Sequence, residues 1–191
     1  LLYGEKILAG QGIPTREESS HTLAGEPWVD FEWLTQAVFA GAHRLGGFPA
    51  LIALKTALLF GVGAALIWML GLHGIPALYA GLAVALFAAG IVVKSDVRPD
   101  DFSLLLFSLV MAGLERVRLG RVLPFAGPAA FLLFAVWVNL HGAFIYGLAA
   151  AASFAVGMLG DTNAPRRRML GILGCASAGC LLNPYGAGVF A

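Results

Sequence analysis

The sequence predicts an all-α fold, a polytopic transmembrane helix bundle of about six spans, and three observations point to it. Long apolar runs occupy 48–70, 75–93 and 122–160; Lys55 is the one formal charge in the first two, and the third has none. Apolar residues make up 59% of the 191 residues and charged residues only 12%, about half the charge of an ordinary soluble domain. The loops between the runs alternate in sign of charge. A bilayer core about 30 Å thick takes roughly 20 apolar residues to cross as a helix, which fits these runs.

The elements follow in order. Residues 1–9 predict a short helix, stopped by Gly10-Gln11-Gly12-Ile13-Pro14. Asp30 is the expected N-cap of a helix running to about Leu45. At the helical period Glu32, Thr35, Gln36 and His43 share one face, and Leu34, Ala37, Val38, Gly41 and Leu45 the other. That is the pattern of an interfacial amphipathic helix, lying at the membrane surface. Trp28 and Trp33 suit the interfacial aromatic belt, and Gly46-Gly47 would turn the chain into the bilayer. Expected spans are 48–70, 75–93, 102–114, 122–138, 142–160 and 169–182. The third and last are short, so their ends should extend into flanking residues. The 71–74 segment and Pro76 mark the first tight turn.

Loop charges orient the bundle. Loops 115–121 and 161–168 carry six arginines against Glu115 and Asp161, a balance of +4. Segments 1–47 and 94–101 carry five basic residues against nine acidic ones, a balance of −4. The positive-inside rule then places the arginine loops in the cytoplasm. The acidic segments, 139–142 and 183–186 fall outside, so the unusual polar clusters share one face. The expected organisation is an extracytoplasmic segment with surface helices, 1–47, and a partial bundle, 48–191, continuing beyond 191. The chain begins at Leu1 and stops inside an apolar stretch. It therefore reads as part of a longer protein whose leading transmembrane helix is left out.

The net charge of +1 gives no reason to expect a nucleic-acid partner. Cys175 and Cys180 match no zinc spacing and read as lipid-facing or packing residues. No phosphate-binding loop, nucleophile elbow, HExxH or CxxC is present, so no cofactor is identified and a divalent metal is left open.

Several polar residues each admit two readings. Asp30 and Glu32 start the surface helix between tryptophans. A carboxylate at an apolar boundary has its pKa raised and can act as a base; the plainer role is a pair favouring the helix dipole. Asn139 and His141 interrupt an apolar run and should face protein or water. They suit hydrogen bonding to a substrate or its phosphate, or a hairpin with Asn139 capping a helix end. Arg98 suits a bidentate phosphate or carboxylate contact. Equally, it can pair with Asp100 or Asp101, either of which can cap the next helix. Lys55 lies about 10 Å into its span and can snorkel outward. Asn183-Pro184-Tyr185-Gly186 reads as a turn whose position on the shared face is the reason to look further.

These residues carry a resemblance along nearly the whole chain, in order. It takes in Gly4-Glu5, Gly12-Ile13-Pro14, Ser20, Thr22, Gly25, Pro27-Trp28 and Glu32-Trp33-Leu34. It continues with Arg98-Pro99, Phe102-Ser103, Trp137, Asn139-Leu140-His141-Gly142, Phe144, Gly147 and Asn183-Pro184-Tyr185-Gly186. In these the chain resembles a group of large prokaryotic membrane proteins related to the GT-C glycosyltransferases. It departs from that pattern at Glu17, where Asp is expected, and at Ser19, where an aromatic residue is expected. The resemblance implies a multi-pass protein of the prokaryotic cytoplasmic membrane. It would transfer sugar from a polyprenyl-phosphate donor to an acceptor on the extracytoplasmic face, with the bilayer and that lipid-linked donor as partners. Glu32, or secondarily Asp30, would be the catalytic carboxylate; Arg98, Asn139 and His141 would bind substrate. In such enzymes the first external loop supplies an essential carboxylate, which here would lie before Leu1. The alternative is a non-enzymatic membrane protein, a transporter or an envelope-assembly scaffold.

The charge split generates a topology test. Single cysteines at positions 20, 96 and 183 of a cysteine-free variant should react with an impermeant maleimide on intact cells, and cysteines at 118 and 167 should not. The opposite pattern would invert the bundle.

Overall fold

The computed structural model describes residues 1–91, 96–160 and 164–190. The end of the expected 75–93 span, Lys94, Ser95 and Asp161 lie outside the described residues. Every regular element is helical: α1 (Leu2–Leu8), α2 (Trp33–Leu72), α3 (Ala77–Ile91), α4 (Asp100–Arg118), α5 (Ala126–Leu140), α6 (Phe144–Gly157) and α7 (Arg166–Gly179), with a closing 3-10 turn at Gly186–Phe190. The all-α expectation therefore holds.

Proline and glycine punctuate these helices as local chemistry requires. Pro76, Pro99 and Pro165 immediately precede α3, α4 and α7. Gly74 (φ 67°) follows α2. Gly120 (φ 72°) closes α4 through bonds from its own N–H to the Val117 carbonyl and from Arg121 N–H to the Arg116 carbonyl, a Schellman turn. The expected break at Gly46-Gly47 is present: Gly47 has φ 64°, and the two residues divide α2 into limbs 33–45 and 48–72. The second limb is about 37 Å long at 1.5 Å per residue. Among the described residues α2 alone is long and apolar enough to cross a membrane; α3, α5 and α6 are shorter apolar helices. The short 102–114 run is extended at both ends in α4, whereas α7 begins before the 169–182 run but stops at Gly179, short of its expected end.

Small residues set the helix crossings. A Cβ on Gly179 of α7 would overlap the Phe131 carbonyl of α5, and one on Gly4 would overlap the Gln36 carbonyl. Gly61 of α2 faces Leu105 of α4, and Gly147 of α6 lies under the Trp137 ring. Backbones approach this closely only where side chains are absent. The core they enclose holds Phe134, Trp137, Val138, Phe144 and Met169, with Cys180 wholly buried and Cys175 against Gly127.

The first limb of α2 turns its polar stripe toward the protein. Thr35 is fully buried and donates to the Leu140 carbonyl at 2.7 Å, while Leu45 on the opposite stripe is 90% exposed. Helix ends fall into two groups. At one, Asp30 meets Tyr185 and Glu32 meets His141. At the other, His73 pairs with Glu115 at 2.8 Å, Arg118 also pairs with Glu115, and Arg121 reaches the Leu72 carbonyl. Lys55 is buried, and its ammonium donates to the Asp96 carbonyl at 2.6 Å, so the protein itself receives the charge that a snorkelling side chain would carry to water.

The crossing of α5 and α7 should be sensitive at one position. Gly179→Ala should destabilise by about 1–3 kcal/mol, because the methyl meets backbone. Gly171→Ala, which meets nothing within 4 Å, should be neutral or stabilising. Thermal melts of the two variants in detergent compare them directly.

Candidate functional site

The N-terminal segment is held as a platform for the site. Glu17 Oε1 accepts from the Ser19 and Ser20 N–H groups, the Ser19 hydroxyl and Tyr3, and these bonds, the Ser19 hydroxyl foremost, hold its pKa below the ordinary value. Trp28 N–H bonds back to Thr15 and the Trp28 ring packs on Tyr3 at 5.0 Å. The chain then delivers Asp30 and Glu32 to the start of α2.

Glu32, rather than Asp30, occupies the N-cap position, and its side chain makes no cap bond. This corrects the expected role of Asp30, whose Oδ1 instead accepts from Glu32 N–H and Gln36 Nε2, each at 3.0 Å. Asp30 N–H donates to the Tyr185 hydroxyl oxygen at 3.0 Å, so the 183–186 turn does reach the shared face. Asp30 is 1% exposed and its Oδ2 has no hydrogen-bond partner. Burial pushes its pKa up, against the opposing pull of Glu32 N–H and Gln36. The Glu32 pKa is also raised, first by burial and then by the charges of Asp30 and Asp100.

Across from Glu32 stands His141, at the break between α5 and α6, with Nε2 3.5 Å from Glu32 Oε1. Its ring is backed by polar groups. Trp137 Nε1–H donates to Ser103 Oγ at 2.8 Å, and Ser103 Oγ lies 2.9 Å from His141 Nδ1. Ala143 N–H also points at Nδ1, at 3.4 Å. Ser103 Oγ keeps a second lone pair beside the bond from Trp137, so its bond with Nδ1 can run either way, and the Ala143 N–H is what favours Nδ1 as an acceptor. In that tautomer the ring proton sits on Nε2 and faces the carboxylate.

Asp30, Glu32 and His141 line one open cavity of about 480 Å³, together with Trp28, Gly142 and Tyr146. A second hollow of about 350 Å³ shares His141, Ala143 and Tyr146 with it, and runs along Ser103, Leu104 and Phe107 of α4. Asn139 lies behind the cavity. Its Oδ1 accepts from Trp33 Nε1 at 2.8 Å, and its Nδ2 donates to the Ala135 and Leu182 carbonyls at 2.7 and 2.8 Å. It is therefore a tie between segments and caps no helix end. Arg98 lines neither hollow: it pairs with the exposed Asp96 carboxylate, while its N–H donates to Asp101 Oδ2 at 3.0 Å. Among the described residues no group of three or more His, Cys, Asp or Glu side chains is placed to hold a metal ion.

No family model, curated protein or solved structure matches this chain.

The polar backing of the site is not legible residue by residue: Ser103 enters only through the family resemblance and Trp137 only as the start of the run that holds Asn139 and His141, yet both stand behind the histidine. Gln36 lies on the predicted polar stripe, and its partner Asp30 is set by the fold. The available signal for Ser103 was a hydroxyl on the same predicted external side as His141.

The raised Asp30 pKa has a definite sign. The folded protein holds this proton more tightly than the unfolded chain, so the contribution is complete below the ordinary value of 3.8 and is lost as pH rises through the raised folded value. Asp30→Asn keeps an acceptor for Glu32 N–H and removes the buried charge. Its melting temperature should fall less than that of the parent chain between about pH 4 and neutrality. Parallel melts across that range check this.

Proposed function

We propose that this chain is the extracytoplasmic-site portion of a multi-pass, GT-C-like membrane glycosyltransferase, with Glu32 as the base that activates the acceptor. The observation that carries the reading is the Glu32–His141 pair facing an open cavity at the acidic end of an apolar bundle. Membrane embedding is supported by bulky residues turned outward along the helices: Phe60 is 76% exposed, Leu86 75% and Leu132 63%. About six spans follow if α3 to α7 are completed by their flanking residues and the bilayer thins locally to match. The grouping of the arginine loops away from the cavity supports an extracytoplasmic site.

The chemistry fits these residues. Glu32 takes the proton of an acceptor hydroxyl, and that oxygen attacks the anomeric carbon. The bond from that carbon to the phosphate breaks, and its electron pair leaves with the polyprenyl phosphate. A carboxylate with a raised pKa is a better base than an ordinary one. His141, with its proton on Nε2, orients Glu32 and steadies its charged form. The N-terminal end of α6, beginning at Phe144 beside cavity-lining Gly142 and Ala143, favours the departing anion. The hollow running down Leu104 and Phe107 offers the lipid portion of the donor an apolar path. Polar groups gathered at one end favour this reading over a transporter, which needs them near mid-membrane.

In reconstituted vesicles supplied with a polyprenyl-phosphate sugar donor, Glu32→Gln should lower transfer at least about 10²-fold and leave the thermal melt unchanged. Transfer by the parent chain should rise with pH through a Glu32 pKa above the ordinary carboxylate value. Arg98→Ala, outside the cavity, should retain most activity. Near-normal turnover in Glu32→Gln would remove the carboxylate from the site and favour the scaffold.

A further inference from the structure

The opposite end of the bundle carries a second, chemically different cavity. It has a volume of about 300 Å³ and lies between α4, α5 and α7, with Trp68 of α2 on its wall. Its lining is apolar apart from Arg116 and Arg121. The Schellman turn at Gly120 brings these two arginines together, since Arg121 N–H bonds to the Arg116 carbonyl at 3.0 Å.

The neighbouring charges are already engaged. Glu115 pairs with Arg118 and His73 and does not line the cavity. Arg121 reaches only a backbone carbonyl, that of Leu72, at 3.5 Å. Arg116 Nε is buried with no hydrogen-bond partner. A guanidinium N–H left unpaired beside apolar walls is costly, and a phosphate oxygen is the acceptor it matches best. Among the described residues no carboxylate lines the cavity to receive a zwitterion's ammonium group.

We propose that this cavity is a binding site for an anionic phospholipid, with the headgroup phosphate held by Arg116 and Arg121 and an acyl chain inserted between α4, α5 and α7. The volume is within the range of small-molecule sites. Trp68 and Phe125, 40% and 58% exposed, also line it, and aromatics of this kind gather at membrane interfaces. Basic pockets between transmembrane helices recognise lipid headgroups by this combination of charge and apolar depth. The inference rests on the membrane-spanning reading above, and on nothing in the Glu32 cavity.

The test uses the full-length protein, purified in detergent, with phosphatidylglycerol, phosphatidylcholine and inorganic phosphate as separate probes. Native mass spectrometry should show phosphatidylglycerol retained in preference to phosphatidylcholine, and only phosphatidylglycerol should raise the melting temperature clearly. Arg116→Gln and Arg121→Gln should each weaken phosphatidylglycerol binding about tenfold, the loss expected for one charge-assisted contact. Arg118→Gln, whose partner is Glu115, should bind as the parent does. Equal retention of both lipids, unchanged binding in the Arg116 and Arg121 variants, or the same stabilisation by inorganic phosphate would each overturn the proposal. Alkaline extraction of native membranes separates the two readings. A protein stripped from the membrane defeats the spanning reading itself, while a retained protein without lipid preference defeats this site alone.

Discussion

Asn139 is the interaction on which the site end of the molecule depends. One amide side chain accepts from Trp33 at the start of α2 and donates both to its own helix and to the carbonyl of Leu182 beyond α7. Three segments far apart in sequence are joined at a 7% exposed residue. Among apolar helices packing has little directional preference, because lipid and leucine are equally good neighbours. A polar group that must be satisfied inside the protein supplies the missing direction. The Thr35 bond to the Leu140 carbonyl, one residue on, locks the same junction a second time.

That junction explains why a carboxylate and an imidazole come to face each other. Once α2 is pinned to the end of α5, Glu32 and His141 have little freedom to part. The histidine is backed by Ser103 and Trp137, so its orientation is determined by groups that do not line the Glu32 cavity. Burial and the nearby negative charges act on Glu32 in the same direction, toward a more basic carboxylate. A site built this way sets a proton acceptor beside an open cavity with an apolar hollow next to it, the combination on which the proposed function rests.

The two ends of the bundle divide the polar chemistry between them. One gathers carboxylates and a histidine around open space. The other gathers arginines, one of whose N–H groups is unmet by the protein. The charge alternation along the chain and the separation of helix ends in space agree with each other, and such a division is what a bilayer would impose on a bundle that crossed it, since charges are costly in hydrocarbon.

Helix positions were legible in the residue order because they follow from local rules. Apolar run length, Pro before a helix, Gly after it and the Gly46-Gly47 break all act within a few residues of themselves. The sign of each loop can likewise be counted, whereas the depth of Lys55 in its run suggests an outward reach and the fold buries it against the Asp96 carbonyl. Partners were not legible in that way. Asp30 has the place of a cap and becomes a buried acceptor for Gln36; Asn139 reads as a substrate contact or a hairpin cap and becomes a three-way tie; Arg98 reads as a phosphate contact or the partner of Asp100 or Asp101, and its guanidinium pairs with Asp96. The Trp137–Ser103–His141 relay joins positions 34 and 38 residues apart. Periodicity tells which face of a helix is polar, but only the packing of one helix against another decides whether that face meets water, lipid or protein.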